Sequence, residues 1–380
     1  MPGPRLRSEF PRRRATHRVV SSLPWWGRRL ITVPAVLIAW PLSIVLSPAL
    51  FVAAVLVDIW RGVRSRATPV AWRMVAILLA YLTGEIFAVV GAFLIWLRSG
   101  FGTNKAELVR LSYKLQLGWG NLLWESARVI FRLRMEVQGL EVARPGPILI
   151  LSRHASIIDN VLPFQLFSRA HGMNLRYVIK KELLLDPALD IAGSWLPNHF
   201  VDREAKDPEA EIKALRRLAS GLTENDGLLI FPEGTRFTKE RQQRALASLA
   251  KRNPRFHRHV AGLRYLMPPH PGGALALLEA SSADVVLVAH HGFDGFARVK
   301  DIWAGGMVGK LVSVRMTRVP FSEIPEGRGH RTEWLFKAWR EMDDWLSSRE
   351  TPQVLTTAGM NDQLPGGATR ADPGSAGSDS

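Results

Sequence analysis

The sequence predicts an α/β domain over residues 104–349, a mixed and largely parallel sheet flanked by helices, preceded by two hydrophobic membrane helices. Three observations carry this expectation. From Asn104 onward, short apolar runs of strand length alternate with segments of helical periodicity. Before that point lie two apolar stretches, each longer than the ~20 helical residues that cross a ~30 Å hydrocarbon layer. Finally, the 380 residues carry a formal charge of +16 and contain no cysteine. A chain of this length can bury a sizeable core. The missing cysteine excludes disulfides, a thiol nucleophile and a cysteine zinc site. The positive balance suits an anionic partner: nucleic acid, anionic lipid or a phosphorylated substrate.

The chain divides into four parts. Residues 1–29 are a basic tail holding Arg5, Arg7, Arg12, Arg13, Arg14, Arg18, Arg28 and Arg29. Residues 30–97 hold the two apolar stretches. Leu30 to Val57 has no charge and ends at Asp58; Met74 to Leu97 is broken only by Glu85. The first stretch is too long for a signal peptide and lacks the small-residue cleavage site. Arginines before it favour a cytoplasmic tail and, after two crossings, a cytoplasmic main domain. Arg61, Arg64, Arg66 and Arg73 between the stretches pull the other way. Pro34, Pro41 and Pro48 leave open a shallow re-entrant hairpin in place of a full span, and a pair of buried core helices is the soluble alternative. Glu85 is expected to face the interior of the helix pair or to lie near the interface.

Within 104–349, Asn104 to Arg134 reads as one or two amphipathic helices with Leu108, Leu111, Leu115, Leu122 and Trp124 on an apolar face. Strands are expected at "MEVQGLEV", "PILILS", Leu175–Lys181, Asn198–Glu204, Leu228–Phe231, "ADVVLVAHH" and "LVSVRMTRV". Asp207-Pro208 is a helix start, an N-cap followed by proline at the first helical position. The stretch "RTEWLFKAWREMDDWLSS" is an amphipathic helix whose tryptophans pack on the sheet or touch the bilayer interface. Residues 351–380, rich in Gly, Ser, Pro, Thr and Asp, are expected to be disordered.

Two strand ends carry chemistry. After Ile148–Ser152 comes "SRHASIID", in which His154 and Asp159 are five residues apart. On one helix they would diverge by about 140°. They meet if His154 lies in the loop leaving the strand and Asp159 in the first turns of a helix beginning near Ile157. Asp159 would then fix the tautomer and free the other imidazole nitrogen as a base; otherwise both are satisfied structural residues. After Leu228–Phe231 comes "FPEGTR", residues 231–236. Gly234 lets backbone amides approach a ligand, Arg236 can grip phosphate in bidentate fashion, and Glu233 accepts hydrogen bonds or orients the arginine. The plain alternative is a surface turn with a Glu–Arg pair.

Together these blocks resemble the glycerolipid acyltransferase family, which contains the 1-acylglycerol-3-phosphate acyltransferases. The family's His-x4-Asp block is matched by His154 and Asp159, and its Phe-Pro-Glu-Gly-Thr-Arg block letter for letter by 231–236. Lys181-Glu182-Leu183 and Phe200-Val201-Asp202-Arg203 are similar to two blocks found between them. "EGTRFTKERQ" and the later "LRYLMPPHPGG" look like the eukaryotic-type lysophosphatidate and lysocardiolipin acyltransferase subgroup. Two departures are the loss of a glycine around Pro197-Asn198 and the lack of a proline in "VVLVAHH". The resemblance implies a membrane O-acyltransferase moving a fatty acyl group from acyl-CoA, or acyl carrier protein, to the free hydroxyl of a lysophospholipid, 1-acylglycerol-3-phosphate first among them. It implies His154 as base and Asp159 as its partner. Acceptor binding would fall to Arg203, Glu233, Gly234, Thr235 and Arg236. No cofactor or metal is implied, acyl-CoA serving as substrate.

Arg241 to Arg264 contains seven basic residues and no acid. It attracts CoA phosphates or anionic head groups, or is simply a solvated helix. The histidines at 257, 259, 270, 290 and 291 lack the carboxylate or cysteine spacing of a zinc site. Competing readings are a hydrolase using His154 to activate water, a non-catalytic membrane lipid-binding protein, and a nucleic-acid binder, for which no recognised module is present.

Overall fold

In a computed structural model, which describes residues 23–202 and 207–350, the first apolar stretch is one continuous 41-residue helix, α1 (Trp25–Ser65). At 1.5 Å per residue it is ~60 Å long, about twice the hydrocarbon layer. Pro34, Pro41 and Pro48 lie inside it without folding it back, so the re-entrant hairpin is not formed. The helix begins before residue 30 and therefore takes Arg28 and Arg29 out of the expected tail. α2 (Ala71–Arg98) follows, 28 residues long, and packs along both α1 and α3 (Lys105–Phe131). Both α1 and α2 are long and apolar enough to cross a membrane.

The polar residues of this hairpin have specific partners. Asp58 accepts from the N–H groups of Val70 and Ala71 at 2.9 Å and of Trp72 at 3.1 Å, capping α2 from the neighbouring helix. Glu85, fully buried, accepts from Trp119 Nε1 in α3 (3.1 Å) and from the Ala188 N–H (3.2 Å) in α4 (Pro187–Trp195). It thus faces the following domain rather than α1. Arg28 and Arg29 reach the same short helix, donating to Asp190 Oδ1 at 2.7 Å and to its carbonyl at 2.6 Å.

The remaining strands are β1 (Arg134–Gln138), β2 (Ile148–Ser152), β3 (Asn174–Lys180), β4 (His199–Val201), β5 (Asp226–Ile230), β6 (Asp284–His291) and β7 (Leu311–Val319). They form one seven-stranded sheet in the order β1-β7-β6-β2-β5-β3-β4. All neighbours are parallel except β6 and β7. The expected mixed, largely parallel sheet is therefore present. "MEVQGLEV" is split, since Gly139 at φ +76° ends β1 and Leu140–Ala143 turns into a short 3₁₀ segment. β4 is shorter than the Asn198–Glu204 strand expected. Arg203 and the tail 351–380 lie outside the described residues.

Connections run through α5 (Pro208–Ala219), α6 (Lys239–Arg252), α7 (Pro254–Val260), α8 (Pro271–Ser281) and the terminal α9 (Arg328–Glu350). Asp207 caps α5 as its sequence implied, accepting from the N–H groups of Glu209 and Ala210. Both sheet faces are covered, which explains apolar runs that do not alternate with polar residues. Ile148 and Ile150 pack with Trp124 and Phe131 of α3 on one face; Leu149 and Leu151 pack with Leu277 of α8 and Trp339 of α9 on the other. The α9 tryptophans Trp334, Trp339 and Trp345 join this second core rather than a membrane interface.

β2 and β5 are neighbours, and the chain leaves β2 toward β3 but β5 toward β6, in opposite directions across the sheet, so their carboxyl ends form a topological switch point where α/β sheets bind ligands. Asp343 of α9 braces this end, accepting from the N–H groups of Arg264 and Tyr265 at 2.8 Å and Leu266 at 2.9 Å. Asp343→Ala leaves all three donors unpaired and is expected to cost about 1–3 kcal/mol, read as a lower unfolding midpoint in detergent. An unchanged midpoint contradicts the bracing role.

Candidate active site

β2 ends at Ser152, and Arg153 extends its pairing by donating its N–H to the Val288 carbonyl at 3.0 Å. The chain then turns sharply. A single 3₁₀ turn at Ile158–Asn160 replaces the helix start expected near Ile157, and a short helical segment with π-type pitch follows at Phe164–Arg169. The turn is organised by Asp159, whose Oδ2 accepts from the Ala155 N–H (2.5 Å) and the Ser156 N–H (2.7 Å), while Oδ1 accepts from Ser156 Oγ (2.9 Å). In this loop His154 and Asp159 do meet: Nδ1 stands 3.1 Å from Oδ2. The imidazole stacks on Phe231, with centroids 4.4 Å apart. The residue is only 7 % exposed, yet His154 lines an open cleft of about 460 Å³.

The second block is a β-turn at the end of β5. The Gly234 N–H donates to the Phe231 carbonyl at 2.9 Å, with Pro232 at the position that favours its fixed φ. Gly234 has φ +65°, a conformation that a side chain would strain. Glu233 points away from solvent, at 0 % exposure. Its Oε1 accepts from the His154 N–H (2.9 Å) and its Oε2 from the Met267 N–H (3.1 Å). The expectation that Glu233 accepts from substrate hydroxyls or orients Arg236 therefore gives way to a structural role holding the His154 loop. Phe237 closes the same loop by donating its N–H to the His154 carbonyl at 2.7 Å.

Gly234, Thr235 and Arg236 line the cleft with His154, and Val178, Leu183 and Ile212 give it apolar surface. Arg236 Nη1 donates to the Ala297 carbonyl at 2.5 Å. The two intervening blocks also converge, since Lys181 Nζ lies 3.3 Å from Asp202 Oδ2. Arg203 beside it lies outside the described residues. Among those residues, no three His, Asp or Glu side chains come together in a way that could hold a metal ion.

The electrostatics follow from burial and partners. Burial acts to raise the Asp159 carboxyl, but the neighbouring imidazoles of His290 and His154 and the Ser156 amide outweigh it. The group sits well below the usual carboxylate range. Burial pushes the Glu233 carboxyl up to about 8, although Arg153 and the two backbone amides pull it down. Arg153 is fully buried and donates to the Tyr265 carbonyl at 2.8 Å and to the Asp294 carboxylate. Burial opposes its charge, but Asp294, with Glu233 and Asp159 further off, raises its pKa on balance. Arg153 and His290 had no assigned role in the sequence. Arg153 was visible as the residue before His154, but nothing in a linear pattern shows an arginine to be sealed inside.

Against this geometry, a family model described as Acyltransferase matches residues 134–290, from β1 to the end of β6. That segment, which holds His154, Asp159 and residues 231–236, is thus similar to the acyltransferase family. The chain is 34% identical over 110 residues to a 1-acyl-sn-glycerol-3-phosphate acyltransferase of Pseudomonas aeruginosa, a match covering 29% of this chain and 40% of that one. The chain thus spans less than half the length of that relative. A solved 1-acyl-sn-glycerophosphate acyltransferase, PlsC from Thermotoga maritima, aligns at 15% identity with a TM-score of 0.44, covering 72% of this chain and 97% of that one.

Glu233→Gln retains one acceptor for two N–H donors, so it is expected to lower stability by about 1–3 kcal/mol; an unfolding midpoint equal to the parent's counts against the role. Asp159 gives a pH dependence of defined sign. Its folded pKa is depressed, so its stabilising contribution is present above the ordinary value of about 3.9 and is lost as pH falls through the folded value. The stability gap between parent and Asp159→Asn is therefore expected to be widest near neutrality and to narrow in acid. A gap that stays constant with pH rejects the depressed carboxyl.

Proposed function

We propose that the chain is a membrane-bound O-acyltransferase that moves a fatty acyl group from an acyl-CoA, or acyl carrier protein, thioester to the free hydroxyl of a lysophospholipid. The leading acceptor is 1-acylglycerol-3-phosphate, with phosphatidate as product. The observation that carries this reading is His154, with Asp159 on its Nδ1 side and the cleft shared with Arg236. The acyltransferase family match over residues 134–290 and the name of the Pseudomonas aeruginosa relative support it. Residues 104–349 form the catalytic domain. α1 and α2 anchor it to the bilayer, their length and apolar surface supporting that part of the reading, and the domain lies on the cytoplasmic face.

His154 Nε2 takes the proton of the acceptor hydroxyl as its oxygen attacks the thioester carbonyl carbon. The tetrahedral intermediate collapses by breaking the C–S bond, and the imidazolium returns the proton to the departing sulfur. Asp159 holds the Nδ1–H tautomer and stabilises the imidazolium. Arg236 binds the acceptor phosphate, helped by backbone near Gly234 and by Arg203. No acyl-enzyme forms, consistent with a chain that has no cysteine.

Membranes containing the parent protein are supplied with labelled acyl-CoA and a panel of lysolipids, beside His154→Ala. The parent is expected to acylate lysophosphatidate, and the variant to lose about 10²–10⁴-fold in rate. Transfer by the variant at the parent's rate removes His154 as the base. Thiol release without any acceptor points instead to hydrolysis. Arg236→Gln is expected to raise the acceptor KM about tenfold for phosphate-bearing lysolipids, while leaving the acyl-CoA KM near the parent's. An unchanged acceptor KM takes Arg236 out of the phosphate site.

A further inference from the structure

His290 has no task in the chemistry proposed above. The β2–β6 register pairs Ser152 with Val288, which brings His290 level with the start of the His154 loop. Alternation along β6 puts its ring on the same sheet face as Val286 and Val288, and there it meets Phe293 edge-on at 5.9 Å. The ring is completely buried. Its Nε2 stands 3.4 Å from Asp159 Oδ1 and 3.4 Å from the Arg153 carbonyl oxygen. Its Nδ1 is buried with no hydrogen-bond partner among the described residues.

These surroundings select one form of the ring. Both neighbours of Nε2 are acceptors, so a hydrogen on Nε2 bonds the Arg153 carbonyl and presents its positive end to the Asp159 carboxylate 3.4 Å away, whereas the Nδ1–H tautomer would bury an unpaired N–H and turn a lone pair toward a carboxylate. A charged ring is disfavoured by burial, with the Arg153 guanidinium acting in the same direction; Asp159 and Asp294 act in the opposite one, and on balance the pKa falls. The remaining charged or titratable groups around the loop are Glu233 and Arg236 from the β5 turn, and His154 itself.

We infer that His290 is a positioning residue, a neutral Nε2–H donor that steadies the second oxygen of Asp159 while the first oxygen faces His154. The inference rests on the proposed role of His154 as base. Three residues would then act in line, His290 on Asp159 and Asp159 on His154, with His154 touching substrate. A donor on Oδ1 draws charge away from Oδ2 and so limits how tightly Asp159 holds a proton on His154.

The parent protein in detergent, labelled with ¹⁵N-histidine, shows the tautomer directly. His290 is expected to be neutral with its hydrogen on Nε2 between pH 6 and 8; an Nδ1–H or charged ring in that range overturns the inference. Two variants supply the kinetic test. The amide nitrogen of His290→Gln can stand where Nε2 stood, and kcat is expected to stay within about threefold of the parent. His290→Met removes the donor at similar bulk, and a loss in kcat of about tenfold or more is expected, with KM for acyl-CoA and lysolipid near the parent's. The acid limb of its pH–rate profile is expected to move up by about one unit, because Asp159 then holds the His154 proton more tightly. An unmoved kcat and acid limb in His290→Met, or an equal loss in His290→Gln, also overturns the inference. Failure of the parent to acylate any lysolipid is a different result that removes the proposed function. The His154 titration midpoint, compared by the same NMR measurement in parent and Met variant, then still decides whether His290 acts on Asp159.

Discussion

Glu233 is sealed from water and accepts one backbone N–H from the loop after β2 and another from the segment before α8. A buried carboxyl with a missing partner costs several kcal/mol, so the site is stable only when both donors are in place. Three segments distant in sequence are thereby locked to one another: residues 152–159, 231–237 and 264–267. Arg153 reinforces the lock by spanning the carbonyls of Tyr265 and His290 and the Asp294 carboxylate. Asp343 holds the third segment from behind, through three backbone amides. His154 and Arg236, which line the cleft, thus stand on a polar scaffold of which Glu233 alone reaches the cleft wall.

The same economy of partners governs the hairpin of α1 and α2. Charged groups in apolar helices are costly unless satisfied. Asp58 is spent on the first turn of α2, Glu85 on Trp119 and Ala188, and Arg28 and Arg29 on Asp190. The contacts of Glu85, Arg28 and Arg29 converge on α3 and α4, and α4 directly follows the Lys181-Glu182-Leu183 block beside the cleft. Elsewhere the hairpin exposes large apolar side chains such as Leu37, Val45, Leu56, Phe87 and Phe93. The hairpin thus combines an apolar outer surface with a polar bracket on the domain, as the proposed bilayer anchor requires.

Much of this was legible in the linear pattern. Long apolar runs announced α1 and α2, short apolar runs between turn residues announced the strands, and helical periodicity announced α9, because burial on one or both faces imposes those patterns directly. Asp207-Pro208 announced the start of α5, because capping is local chemistry. His154, Asp159 and Arg236 were legible as a set only through the order of four short blocks, since each pair alone has an ordinary structural explanation. Proline content left a re-entrant alternative open beside the expected helix α1. Proline removes one hydrogen bond and crowds the preceding turn, but the rest of a 41-residue helix continues around three of them.

The sequence by itself determined the class of sheet, the apolar hairpin and the residue types at two strand ends. Those properties depend on local propensity and on how often a side chain must face a core. Only the tertiary structure decided that Glu233 faces inward to hold His154, that Arg153 is buried, and that His290 stands against Asp159. Each of these depends on strand register and on partners 79 to 137 residues away, and separations of that kind leave no periodic trace in the chain.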